Sequence, residues 1–148
     1  MGRSVPRLED HRFLTGAATY ADDLNVEGQA WGVVVRSPHA HAAIKSIDLS
    51  PALEMSDIIG VYTEADLADD GIGHLPCSAE LPIEAGLYVP PRPALAREYV
   101  RYVGDQVAFV VAENQEAAAE AAEQVIIEYE TLPAVVDGYA ALEDGAPQ

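Results

Sequence analysis

One cysteine, Cys77, occurs in the 148 residues. No internal disulfide is therefore possible, and a reducing compartment is the simplest setting. Basic residues are also scarce, with 8 Lys and Arg against 25 Asp and Glu and a net charge of −17. The phosphates of nucleic acid and of anionic membrane surfaces would repel such a chain, so neither is an expected partner. The scarcity is graded: Arg3, Arg7 and Arg12 sit at the start, and no base follows Arg101. The acids beyond Arg101 read as solvated helix and strand faces, with a surface that steers a basic partner as the sharper alternative. No apolar run is long enough to cross a membrane. The first 13 residues hold neither an apolar core nor an adjacent arginine pair, so no export signal is read and a cytoplasmic location is expected. No repeat is present. Glycine makes no phosphate cradle, because Gly16, Gly28 and Gly32 are scattered and Gly71-Ile-Gly73 precedes no helix.

What is present is 49% apolar, enough for the core of one domain. Its organising stretch is Val100 to Pro133. Gln106 to Ala112 is a nearly all-apolar run between turn residues, the pattern of a strand buried on both faces. Asn114 suits a helix cap, and Ala118, Ala121, Ala122 and Val125 form one apolar stripe behind it. Glu116, Glu120 and Glu123 lie on another stripe, facing water. Ile126 to Thr131 returns as a strand, which Leu132-Pro133 stops. The unit is compatible with a parallel pair and a right-handed crossover.

Earlier in the chain, residues 1 to 27 read as an extended arm anchored only by Phe13, Leu14, Tyr20 and Leu24. Gly28 to Ser37 is a strand ended by Pro38, and an alternating run begins at His39. In that run Lys45 and Asp48 turn away from Ile44 and Ile47 only if the strand is twisted or bulged. Ser50-Pro51 starts a short helix, Ile58 to Tyr62 is a strand, and Thr63 caps a helical turn from Glu64 to Ala68 with an acid at its third position. Asp69 to Leu95 is a long loop rich in Gly and Pro. A loop of this length inside a compact domain is usually functional or docked on a partner. Asp137 to Leu142 forms a last helical turn.

No constellation of catalytic residues stands out. His39 and His41 alternate, so both rings would project to one face of a strand, but no third metal ligand accompanies them. His74 and Cys77 make half of a zinc knuckle without a second half, and Cys77 has no base held beside it as a nucleophile would need. Asp22 and Asp23 are adjacent and face apart, which favours a turn or cap over a shared-proton pair.

Several stretches together resemble one family. In order they are Val5-Pro-Arg-Leu-Glu-Asp10, Arg12-Phe-Leu-Thr-Gly16, Tyr20-Ala-Asp-Asp-Leu24, Val35-Arg-Ser-Pro-His-Ala-His-Ala42, Leu75-Pro-Cys77, Pro91-Arg-Pro93 and Val100-Arg-Tyr-Val-Gly-Asp105, followed by the Ala-rich helix and Val125-Ile-Ile-Glu-Tyr-Glu-Thr-Leu-Pro-Ala134. This resembles the N-terminal segment of the molybdenum-binding large subunit of molybdenum hydroxylases, the family of xanthine dehydrogenase, aldehyde oxidase and aerobic carbon monoxide dehydrogenase. The carbon monoxide dehydrogenase branch is the most similar in flavour. One departure is Leu53 to Gly60, where the family usually carries a Pro-Gly turn and a local change is expected.

The resemblance implies an α+β fold, the α/β hammerhead, with a mixed sheet and an Ala-rich helix packed on it. It divides the chain into the arm 1–27, the hammerhead 28–142 with its loop 69–95, and residues 143–148 as the start of a linker to a missing C-terminal region. The Met start is read as a genuine N-terminus. The implied role is a structural and subunit-contact domain of an oxidoreductase, inactive alone. Catalytic, cofactor and metal residues are expected outside it. The full enzyme would use molybdenum-molybdopterin, in the cytosine dinucleotide form, with iron–sulfur clusters and FAD on partner subunits or domains. Expected partners are the C-terminal molybdenum-binding domains of the same polypeptide and the iron–sulfur and flavin subunits. Candidate contact residues are Arg12, Phe13, Gly16, Tyr20, Asp22 and Asp23 in the arm and Pro76, Pro91 and Arg92 in the loop. The alternative is a free-standing acidic protein-binding module with the same fold.

Overall fold

The computed structural model describes residues 2, 4–76 and 89–147. Cys77, and with it the question of the half zinc knuckle, lies outside the described residues, as does the middle of the loop 69–95.

Among the described residues, six strands form two three-stranded sheets. Strands β1 (Trp31–Arg36), β3 (Ile58–Tyr62) and β5 (Gln106–Ala112) make one sheet, in the order β1-β5-β3. Strands β2 (Ala42–Asp48), β4 (Tyr99–Val100) and β6 (Ile126–Thr131) make the other, in the order β4-β2-β6. Odd strands thus lie in one sheet and even strands in the other, so every connection crosses between them. Every described strand pairing is antiparallel. This corrects two expectations. The sheets are antiparallel, not mixed. The strand–helix–strand unit is no parallel pair, because β5 and β6 lie in different sheets, and its helix packs on the sheet of β5.

The helix is α4 (Gln115–Gln124). Asn114 caps it by accepting from the Ala117 N–H at 2.8 Å. The bond satisfies one of the free donors of the first turn. Ala117, Ala118 and Ala121 are buried on it. Ala118 and Ala117 pack with Ala112, Trp31 and Val33. Ala121 packs with Ala52, Val61 and Val110. Methyl side chains let the helix lie close over β1, β5 and β3. The fully buried side chains are correspondingly small, and the largest are valines. A second cluster, Ala42, Ala96, Val100 and Val107, closes the even-strand sheet with help from Ile44, Ile47 and Tyr129. The pairing of β2 with β6 shifts register between Ile44 and Ser46. That bulge turns Ile44 and Ile47 inward together, as the sequence required, and leaves Lys45 outside in an ion pair with Glu130.

Shorter elements follow from local chemistry. Helix α2 (Ser50–Leu53) opens with Pro51, whose missing N–H costs nothing there. Helix α3 (Glu64–Asp69) starts at Thr63. The Asp66 carboxylate accepts from the Thr63 N–H at 2.6 Å and its hydroxyl at 2.9 Å, and these bonds hold its pKa below the usual range. The arm is not extended throughout. It carries the one-turn helix α1 (Asp10–Leu14), with the Asp10 carboxylate accepting from the Arg7 N–H, and a single 3-10 turn at Ala21–Asp23. A second 3-10 turn, Ala140–Leu142, stands where the last helical turn was expected.

The turn before β3 contains a left-handed residue. Asp57 has φ +68, and its carbonyl accepts from the Glu113 N–H at 2.8 Å. A left-handed residue there carries a steric cost that glycine avoids and Asp only reduces. Asp57→Gly is therefore expected to raise stability by a few tenths to about 1 kcal/mol, and Asp57→Val to lower it by about 1–2 kcal/mol. Denaturant melts of the two variants check the sign. On α4, Ala121 is fully buried. Ala121→Leu should overpack the helix–sheet seam and cost about 1–3 kcal/mol in the same melts; wild-type behaviour would mean the seam is looser than its burial indicates.

Candidate functional site

The candidate contact residues fall into two groups. In the arm, the Phe13 and Tyr20 rings meet at 4.5 Å between centroids. Arg12 pairs with Glu9 at 3.2 Å, and its carbonyl accepts from the Ala17 and Ala18 N–H groups. Gly16 has φ +71, which lets the chain reverse after α1. Asp23 accepts from the Tyr20 N–H at 2.8 Å, a capping role, while Asp22 stays exposed. The reversal therefore closes on itself. Its apolar neighbours Val5, Leu8, Leu14, Leu24 and Val26 remain exposed.

The second group lies at the ends of the long loop. Pro76, Pro91 and Arg92 line a cleft of about 650 Å³ with Tyr99, Arg101, Tyr102 and Asp105. The Leu75 N–H donates to the Arg92 carbonyl at 2.8 Å and holds the two ends of the loop together. The structure thus brings Pro76, Pro91 and Arg92 to one cleft. Among the described residues, no hydrogen bond or ion pair joins this group to the arm group.

The histidines do not share a face. Strand β2 begins at Ala42, so His39 and His41 precede it. The His39 ring meets Tyr129 edge-on at 4.8 Å, and His41 Nδ1 lies 2.7 Å from the Pro133 carbonyl. Pro38 keeps this segment out of the ladder, which is why strand spacing misplaced the rings. Among the described residues no three His, Cys, Asp or Glu side chains gather as metal ligands. Prolines, alanines and tyrosines line the cleft beside Arg92, Arg101, Asp105 and Gln106.

Sequence reasoning missed a polar joint where the β1–β5 pairing runs on past the strand ends. Ser37, only 2% exposed, donates its N–H to the Asp105 carbonyl at 2.9 Å, and its carbonyl accepts from the Gly104 N–H at 2.8 Å. Arg36 Nη1 donates to the Gly104 carbonyl at 2.9 Å. The Asp105 carboxylate takes the Arg101 and Gln106 N–H groups. The signal was present in Ser-Pro-His and Gly-Asp, both of which are turn formers. Beside the joint, the Tyr129 hydroxyl is buried without a hydrogen-bond partner. Burial pushes its pKa up; nearby Ser37 pulls it back in part, though without hydrogen-bond geometry, and Asp105 adds to the rise.

Comparison with known proteins decides the lineage. Residues 15–133 match the family model described as aldehyde oxidase and xanthine dehydrogenase, a/b hammerhead domain. The chain belongs to this family. It is 42% identical over 145 residues to the nicotine 6-hydroxylase large subunit of Paenarthrobacter nicotinovorans, covering 98% of this chain and 17% of that protein. It is 41% identical to the carbon monoxide dehydrogenase large chain of Afipia carboxidovorans, covering 99% of this chain and 17% of the relative. Among solved structures, quinoline 2-oxidoreductase from Pseudomonas putida 86 superposes with a TM-score of 0.81 at 40% identity, covering 98% of this chain and 18% of that one. The hammerhead fold is thereby established. The chain corresponds to a domain of molybdenum hydroxylase large subunits, and spans about a sixth of their length.

The orphaned hydroxyl of this hammerhead domain has a measurable consequence. A raised tyrosine pKa means the neutral phenol is favoured in the fold, so stability is intact below about pH 10 and is lost as pH rises through the folded value. Tyr129→Phe should keep or raise stability by up to about 1 kcal/mol at neutral pH, since it removes a buried unpaired group. It should also lose less stability than wild type as pH rises above about 10. A clear drop at neutral pH would show that the hydroxyl has a partner.

Proposed function

We propose that this hammerhead domain is a structural and subunit-contact part of a molybdenum-dependent hydroxylase or dehydrogenase large subunit and catalyses nothing alone. The observation that carries this reading is the family match over most of the chain, joined to relatives whose own names are hydroxylases and dehydrogenases. In the full enzyme the molybdenum cofactor, in its cytosine dinucleotide form, would sit in domains beyond this one. Iron–sulfur clusters and FAD would sit on partner subunits or domains. The reaction class would be oxidation of a small substrate with oxygen drawn from water. A cytoplasmic location suits the single cysteine. No described helix is long and apolar enough to cross a membrane.

The contact residues proposed are Arg12, Phe13, Gly16, Tyr20, Asp22 and Asp23 on the arm and Pro76, Pro91 and Arg92 at the cleft. Support comes from the exposed apolar side chains of the arm, which a larger assembly would bury. The domain division of arm 1–27, hammerhead 28–142 and linker 143–148 belongs to the same proposal.

Metal analysis and a substrate panel on the full-length polypeptide, purified with its partner subunits, test the enzyme reading. Molybdenum and turnover in that preparation, with neither in residues 1–148 alone, are expected. Hydrogen exchange tests the contact surfaces. Amides of residues 12–24 should exchange at least about tenfold more slowly in the assembly than in the 1–148 chain. Equal rates would remove the arm from the contact surface.

A further inference from the structure

The odd-strand sheet has two unequal faces. Helix α4 and α2 seal one, over Trp31, Val33, Ile58, Val61, Val110 and Ala112. The opposite face carries Gly32 and Val34 on β1, Phe109 and Val111 on β5, and Gly60 and Tyr62 on β3. Cross-strand pairing sets Val34, Phe109 and Tyr62 in one row and Gly32, Val111 and Gly60 in the next. The Phe109 ring lies over Gly32, where an added Cβ would collide with its Cζ, and the Tyr62 ring lies over Gly60 in the same way. The rings are therefore laid flat and do not stand up into solvent. At Val107 the even-strand cluster closes this face. From Phe109 onward it is open among the described residues, with Phe109 36% and Tyr62 39% exposed.

An antiparallel sheet with one wet face should alternate apolar and polar. Short of the bulge at Val35–Arg36, beyond which Arg36 is exposed, the wet positions are Gly, Val, Phe, Val, Tyr and Gly. None of the chain's 25 acids is among them. The all-apolar run of β5 is the pattern of a strand covered on both sides, and the described residues cover one. We propose that this face seats a helix or strand layer from the remainder of the large-subunit polypeptide. The inference rests on the proposed function only in taking the occupant from the same chain. Size supports that choice over a second copy. Three strands about 4.8 Å apart and five or six residues long give a face on the order of 300 Å², well under the roughly 800 Å² per partner of a stable association. A patch that small holds a partner that is already tethered, because tethering supplies millimolar effective concentration. Length agrees, since relatives of this chain continue to about six times its span.

Cysteine accessibility in the full-length polypeptide tests this. Tyr62→Cys, and in parallel Val111→Cys, are labelled with a maleimide and the rate at each site is read by peptide mass. Glu116→Cys, on the exposed face of α4, is the reference. Labelling at 62 and 111 at least about tenfold slower than at 116, at every protein concentration, is expected. Equal rates overturn the proposal. Protection that grows only with concentration assigns the face to a second copy and overturns it too. Protection already complete in residues 1–148 at low concentration shows that this chain covers itself, and likewise overturns it. Molybdenum content of the same preparation separates the covered face from the enzyme reading. Protected cysteines without molybdenum support the covered face and sink the enzyme reading; molybdenum with fast labelling does the reverse.

Discussion

The backbone exchange between Ser37 and the Gly104-Asp105 turn carries the β1–β5 pairing of this hammerhead domain past the strand ends, to where the chain crosses between the two sheets. The chain passes from the odd sheet to the even one between β1 and β2, and returns between β4 and β5. Those two passages run side by side, and Ser37 and Gly104-Asp105 bond them reciprocally. Each such bond contributes only about 0.5–1.5 kcal/mol net. Their importance is positional. Ser37 is buried, so its N–H and carbonyl must find protein partners, and the geometry that satisfies both fixes where β1 ends and β5 begins. Gly104, at φ +92, supplies the turn that presents its own N–H and the Asp105 carbonyl together.

The fully buried side chains of the described core are small, the largest being valines. Helix α4 lies on the odd-strand sheet, and its alanines approach that sheet closely. Close approach leaves no slack: a methyl-lined seam buries little area per residue and relies on fit. The even-strand sheet is completed differently, by Ile44, Ile47, Ile127 and Tyr129 closing on Val100 and Val107. Tyr129 fills volume there at the cost of an unpaired hydroxyl, the one orphan group among the described side chains.

This division explains what the sequence could disclose. Element identity was legible wherever the cause is local: the Asn114 cap, the alanine stripe, the Thr63–Asp66 box, the Ser50-Pro51 start, and the strand at Gln106. The bulge near Lys45 was legible too, because no flat strand could bury Ile44 and Ile47 together. The sheet pairing was not. Consecutive strands are usually neighbours, whereas here consecutive strands never share a sheet, and no local pattern reports that. One antiparallel partner of β5 is β1, seventy or more residues earlier. Ser37 looked like a turn residue before a proline, and its partner lies nearly as far away in sequence. Of the candidate contact residues, the turn chemistry at Gly16 and Asp23 was readable, while the cleft joining Pro76 to Arg92 depends on a backbone bond across the long loop.

The flat aromatic rings bear on what must lie beyond the domain. A strand such as β5, apolar at nearly every position, belongs in a layered interior with material on both sides. The domain supplies one layer. Gly32 and Gly60 are weak strand formers, and each would expose backbone if left bare. Phe109 and Tyr62 cover them, which protects the two edge strands while keeping the face smooth and uncharged. On a self-sufficient surface the same shielding would be served by longer polar side chains, and a chain this rich in Glu had them in abundance. A smooth apolar face beside so acidic a remainder is the local solution for a sheet whose second covering layer comes from outside the domain.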